Sequence, residues 1–179
     1  MKLSGDNLAA SLSRQLAPIY LISGDEPLLV NEAADAVPAR ARSQGFTERE
    51  LHTVERGFDW QALLANSKAM SLFAERKIIE IRMTNPTPGE QGADAIIELA
   101  TEPSADNLVL IVTGKMDGRV AGSRWVSAIE KHGVVVQIWP LELARLPAWI
   151  RERLAKQNLK ADAEAASLLA ERVEGNLLA

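Results

Sequence analysis

A glycine turn behind an apolar run is the first place in this sequence where chemistry could sit. Pro18-Ile19-Tyr20-Leu21-Ile22-Ser23 leads into Gly24-Asp25-Glu26-Pro27-Leu28-Leu29. A phosphate loop needs spaced glycines, whose amides cradle phosphate, and then Lys-Ser/Thr for phosphate and magnesium. This turn has a single glycine, two acids that repel phosphate, and no Lys-Ser/Thr. The apolar run Leu108–Val112 would have to end in an acid to hold a metal, but it continues into Thr113-Gly114-Lys115. The pattern is that of a nucleotide-binding frame without its machinery.

The remaining titratable groups do not assemble into a site either. His52 and His132 are far apart in sequence and lack clustered acids, so surface or interface roles are expected of them rather than metal or base chemistry. Asp25-Glu26 is a candidate acid pair, but in a polar turn before a helix such residues more often serve the helix dipole and its first amides. Ser71 has no neighbouring base to activate it. Arg151, Arg153 and Lys156 read as the solvated face of a helix. No catalytic residue, metal or cofactor is expected.

One short segment stands out for binding. Met70-Ser71-Leu72-Phe73 carries three large apolar side chains in four residues and is followed by charged Glu75-Arg76-Lys77. Leu and Phe are ordinarily buried, so a turn tucked into the core is one reading. An exposed plug that enters a partner's pocket is the other.

The elements that must position these residues follow from periodicity. Ser4 reads as the cap of a helix carrying Leu8, Leu12 and Leu16. Residues 18–23 read as a buried strand. A helix opens at Pro27, where a missing N–H costs nothing, and runs towards Gly45; Pro38 inside it should kink or shorten it. Leu51–Val54 is a short strand, Asp59 caps a helix through Trp60, Leu63 and Leu64, and Arg76–Met83 is a third strand. Thr84–Gly92, rich in Pro and Gly, is a loop, and a helix follows around Ala95–Ala100. Leu108–Val112 is a continuous apolar run, as expected of a central parallel strand covered on both faces. Val120–His132 reads as a helix closed by Gly133, and Val134–Trp139 as the last strand. Strands alternating with helices predict an α/β fold, a three-layer and mostly parallel sheet, over residues 1–140.

From Leu143 the chain turns helical, with Leu146, Trp149, Ile150 and Leu154 on one face and a second helix over Ala165–Val173. Gly175-Asn176 breaks it, and Leu177-Leu178-Ala179 resembles the start of a third helix. Residues 141–179 are therefore expected to be the truncated start of a small helical domain.

Composition narrows the function classes. The chain has 179 residues, no cysteine, net charge −4 and a pI near 5.3. Lack of cysteine excludes disulfides, zinc–thiolate sites and thiol nucleophiles, and suits a reducing compartment. No overall basic excess is available to neutralise phosphates, so DNA contact is expected only in company with basic partners or through a local patch. The N-terminus lacks a signal-peptide pattern and no apolar run approaches the roughly 20 residues of a membrane span, so a cytoplasmic protein without membrane contact is expected.

Three stretches together carry a resemblance: Tyr20-Leu21-Ile22-Ser23-Gly24-Asp25-Glu26-Pro27-Leu28-Leu29, Ala69-Met70-Ser71-Leu72-Phe73-Ala74, and Val173-Glu174-Gly175-Asn176-Leu177-Leu178-Ala179. In order and along essentially the whole chain, the sequence resembles the N-terminal part of the delta-subunit family of bacterial DNA polymerase III clamp loaders. The resemblance implies an AAA+ fold that has lost its nucleotide site, in a subunit that binds and opens the sliding clamp (the beta subunit) during DNA replication. It implies that Leu72 and Phe73 enter a hydrophobic clamp pocket, with Met70 and Ser71 shaping the approach. The family's binding pattern often begins with Gln, and Lys68 stands at that position here. It further implies that other loader subunits are joined through a collar domain that this chain lacks, leaving it monomeric, and that DNA is met only in the assembled complex. Two other readings compete: a degenerate P-loop hydrolase, and a structural α/β domain whose Leu72 and Phe73 are core.

Overall fold

The computed structural model describes residues 1–69 and 76–178. Two compact units divide between Trp139 and Pro140. The first is built on a six-stranded, wholly parallel sheet in the order β1-β6-β2-β5-β4-β3. Its strands are β1 (Lys2–Ser4), β2 (Ile19–Gly24), β3 (Phe46–Val54), β4 (Arg76–Met83), β5 (Asn107–Thr113) and β6 (Val134–Ile138). Its helices are α1 (Leu8–Arg14), α2 (Pro27–Arg42), α3 (Trp60–Lys68), α4 (Gly89–Thr101), α5 (Gly118–Ala121) and α6 (Arg124–His132).

Both faces of the sheet are covered, which is why the central strands read as unbroken apolar runs rather than alternating ones. Ile19 and Leu21 of β2, Ile79 and Ile81 of β4, and Val109 and Ile111 of β5 pack against α3, α4 and α6. Tyr20, Ile22, Leu110, Val134 and Val136 point the other way, onto Leu8 and Leu12 of α1 and Val30, Ala34 and Val37 of α2. The α/β class and the parallel three-layer sheet are as the alternation of elements predicts.

Several local expectations are corrected. Ser4 does not cap α1: it ends β1, which pairs with β6, and a 3-10 turn over Gly5–Asn7 precedes the helix. Pro38 does not shorten α2, which spans 16 residues with Pro38 buried inside it. β3 is nine residues long rather than four. It is an edge strand rich in charge, so the apolar pattern that marks a strand is visible only at its end. α4 starts at Gly89, inside the expected loop. The helix expected over 120–132 is two, α5 and α6, separated at Gly122-Ser123.

The second unit holds a 3-10 turn at Leu143–Arg145 and then α7 (Leu146–Lys156) and α8 (Ala163–Val173). Leu146 and Ala166 are its buried contacts, and the Asp162 carboxylate caps α8 by accepting from the Ala165 N–H at 2.8 Å. Glu174 and Gly175 end α8 in left-handed backbone, with φ +49° and +84°.

Candidate functional site

Met70, Ser71, Leu72 and Phe73 lie outside the described residues, so the site is built from the chain on either side of them. α3 leads in. Asp59 starts it, accepting the Ala62 N–H at 2.9 Å, and Trp60, Leu63 and Leu64 bury one face. A helix leaves its last four carbonyls without partners in the helix itself. Three of the four here find acceptor roles. Ala65 O accepts from the Ala69 N–H at 3.1 Å, Asn66 O from Lys77 Nζ at 2.9 Å, and Ser67 O from Asn107 Nδ2 at 2.5 Å. Lys68, the last helical residue, is exposed and pairs with Glu98 of α4. That hydrogen bond, with the Glu98 charge behind it, holds the lysine ammonium above its ordinary pKa.

The chain is tied as firmly where it leaves. Arg76 donates to Gln44 O at 2.8 Å and to Ala105 O at 3.2 Å, and its guanidinium lies 4.0 Å from the centre of the buried Phe46 ring. Lys77 is nearly buried and also holds Glu50 at 3.0 Å, so its charge is compensated on two sides. These anchors were only partly legible. Arg76-Lys77 shows in the sequence as a charged boundary, but Asn107 is simply the polar first residue of an apolar strand.

At the mouth of the sheet, where a phosphate loop would turn, Asp25 accepts from Lys115 Nζ at 3.0 Å. Glu26, the residue before α2, makes no side-chain cap. Lys115 also lies 5.9 Å from the exposed Trp139 ring. Gly24 cannot carry a side chain, because a Cβ there would come within 2.7 Å of the Ile138 carbonyl.

The other sequence candidates stay apart. His52 meets Phe58 edge-on at 6.3 Å and stands 3.5 Å from a Glu50 oxygen. No cluster of three potential metal ligands occurs among the described residues. Arg153 stacks 4.5 Å over Trp149, while Arg151 and Lys156 are exposed. A feature the sequence reading misses is Glu80, fully buried on β4. Arg49 donates to one of its oxygens at 2.7 Å and Arg82 to the other at 2.7 Å. A lone acid in an apolar strand is the only signal it leaves. No helix among the described residues is long and apolar enough to cross a membrane.

Comparison with known proteins supplies the rest. The family model for the DNA polymerase III delta subunit matches residues 20–138. DNA polymerase III subunit delta of Escherichia coli (strain K12) is 34% identical, over 100% of this chain and 52% of that protein. The Haemophilus influenzae subunit delta is 26% identical, over 97% of this chain and 51% of its own length. The chain thus spans about half the length of the curated relatives it matches. Among solved structures, the Bacillus subtilis DNA clamp loader delta protein matches with a TM-score of 0.69 at 16% identity, over 97% of this chain and 54% of that one. AMPPCP-bound DnaA from Aquifex aeolicus matches with a TM-score of 0.53 at 14% identity, over 93% and 55%. These two likenesses are of fold, and they agree with a clamp-loader and AAA+ architecture. With the family model covering most of the chain and a 34% identical relative aligned along all of it, this chain belongs to the DNA polymerase III delta subunit family.

Proposed function

We propose that this chain is the clamp-binding part of a clamp-loader subunit, and that it grips the sliding clamp through Leu72 and Phe73, with Met70 and Ser71 shaping the approach. The observation that supports this best is the anchoring on both sides of residues 70–75. Lys77, Asn107 and Arg76 hold the two ends of a six-residue segment dense in large apolar side chains. Fixed ends lower the entropy lost when such a segment docks. Residues 141–179 are read as the beginning of the small helical domain of the same subunit.

The mechanism is mechanical rather than catalytic. Burying Leu72 and Phe73 in a partner's pocket is worth about 1.5–3 kcal/mol each, so losing both weakens binding by roughly a hundredfold or more. Binding alone does not open a ring. The chain must hold the open form of the clamp more tightly than the closed form, because only differential affinity shifts an equilibrium. Leu72 and Phe73 anchor the contact, and α3, which precedes them in the sequence, presses on the clamp. ATP hydrolysis falls to other loader subunits. The Asp25–Lys115 pair supports that division, since it sets a carboxylate where a phosphate would need amides and a lysine. DNA is met only in the assembled, cytoplasmic complex.

The test is a calorimetric titration of wild type and the Leu72→Ala/Phe73→Ala variant against the sliding clamp of the same bacterium. Binding that is lost in the variant, at unchanged melting temperature, is the expected result. Failure of the wild type to bind rejects the proposal, and a variant that unfolds returns Leu72 and Phe73 to the core.

A further inference from the structure

β3 is the outer strand of the sheet and pairs with β4 along one edge only. Its other edge offers a row of N–H and C=O groups to any strand laid beside it. Charged residues are the usual protection of such an edge, and here they crowd into one half. Glu48, Arg49 and Glu50 come first, whereas Leu51-His52-Thr53-Val54 holds no acid, lysine or arginine. Leu51 in that second half is 58% exposed.

Side chains alternate between the faces of a strand, so β3 presents two different surfaces. On the face covered by α3, Glu50 meets Lys77 and Val54 packs against the core. Arg49, Leu51 and Thr53 turn to the opposite face, where Leu51 stands beside Glu80 and Thr53 beside Arg82 of β4. Glu80 is fully buried there, yet the arginines that hold it are 33% and 39% exposed. Arg49 reaches one carboxylate oxygen through Nε and Nη2, at 2.7 and 2.5 Å, and Arg82 reaches the other through Nε at 2.7 Å. Each guanidinium therefore turns an inner edge to Glu80, and two positive charges stand over one negative.

A buried Arg–Glu–Arg set is not needed to stabilise a sheet, because apolar residues of similar volume often serve as well or better. What it supplies, and apolar residues do not, is a pair of guanidiniums locked in place next to an exposed leucine. We infer that Arg49, Leu51, Thr53 and Arg82 form a docking surface for an extended segment of a partner protein that carries a carboxylate next to an apolar side chain. The segment adds as a strand to the free edge of β3. Its backbone pairs with that edge, and its alternate side chains fall on the face of Arg49 and Leu51. The carboxylate meets the guanidiniums, whose forks suit two parallel hydrogen bonds, and the apolar residue covers Leu51. Nucleic acid is the poorer fit. One net positive charge neutralises little phosphate, Glu48 and Glu50 lie on the same strand, and the chain as a whole carries −4.

The experiment uses the full chain and a library of random eight-residue peptides displayed on phage. Peptides enriched on the immobilised chain are then titrated against it in solution, with backbone amide shifts as the readout. Enriched peptides are expected to carry Asp or Glu within two residues of Leu, Ile or Val. Their binding is expected to shift the amides of Phe46–Val54 and to slow hydrogen exchange in β3. Dissociation constants should rise about tenfold in Leu51→Ser, which alters only an exposed side chain, and in Arg49→Lys, which keeps a charge on Glu80 but loses the fork. Melting temperature is followed in both variants, and Leu51→Ser is expected to leave it unchanged. No enrichment, enrichment of basic or uncharged peptides, or shifts confined to other parts of the chain overturns the inference. So does unaltered affinity in Leu51→Ser. Single-stranded DNA that shifts the β3 amides where acidic peptides do not would assign the arginines to phosphate and overturn it as well. A chain that dimerises by itself, and becomes monomeric in Leu51→Ser, would give the edge to a second copy with the same consequence.

Discussion

Tyr20 is the chain's one tyrosine and lies fully buried on β2, its hydroxyl accepting the Ala17 N–H at 2.9 Å. Burial raises its pKa above the ordinary tyrosine value, and the Ala17 hydrogen bond only partly offsets that. A pKa raised in the folded state means that the unfolded chain ionises first as pH rises. The stability tied to this group is therefore complete below about pH 10 and is lost as pH climbs through the folded value. Alkaline melting curves of wild type should fall in that window. Tyr20→Phe should lose about 1 kcal/mol at neutral pH, because the Ala17 amide loses its partner, and should show a shallower alkaline limb. Equal alkaline slopes in the two proteins would contradict the assignment. Glu80 makes the complementary point. It is an acid that sequence reasoning passes over, because its two arginines come from a position 31 residues away, Arg49, and one only two residues along the strand, Arg82. Pairings set by strand register are invisible until the strands are ordered.

Among elements, what was legible followed from whether the decisive contact was local. β2 and β5 announce themselves as apolar runs because both their faces are buried, β4 and β6 by their apolar stretches, and Asp59 announces α3 because an N-cap acts within three residues. β1 does not, since its three residues are a strand only by pairing with β6 more than 130 positions away. The same distinction divides the candidate site. Met70 to Phe73 stand out by composition, whereas Lys77 and Asn107 reach a helix end that lies elsewhere in sequence. Gly133 shows how a residue read as a helix stop has a second, non-local duty. A Cβ there would lie 2.2 Å from the Ile19 carbonyl, so the glycine is what lets α6 hand over to β6 hard against the start of β2. Gly133→Ala should therefore cost about 2–4 kcal/mol in urea denaturation, by forcing β6 away from β2. A cost near that of an ordinary surface substitution would show that the junction yields easily.

For the molecule as a whole, the question is whether the turn after β2, with Asp25 paired to Lys115, leaves room for a nucleotide. The turn after β2 lies within the stretch that the family model matches. In that turn Asp25 pairs with Lys115, and Lys115 lies near the face of Trp139. Accepting phosphate there would require breaking an ion pair and placing a triphosphate beside Asp25 and Glu26, in a chain already carrying −4. On the proposed function the chain acts as a nucleotide-independent grip, its contact with a partner governed by apolar fit. The consequence is measurable by linkage. A ligand present at a hundred times its dissociation constant stabilises the folded state by about 2.7 kcal/mol, a shift of several degrees in a domain this size. Millimolar ATP with magnesium should move the melting temperature of this chain by less than about 1 °C, where even a dissociation constant of about 10 μM would produce that larger shift. A shift of several degrees would restore the hydrolase reading and require the Asp25–Lys115 pair to open. An unchanged melting curve, together with clamp binding that is the same with and without ATP, is what a nucleotide-independent grip requires.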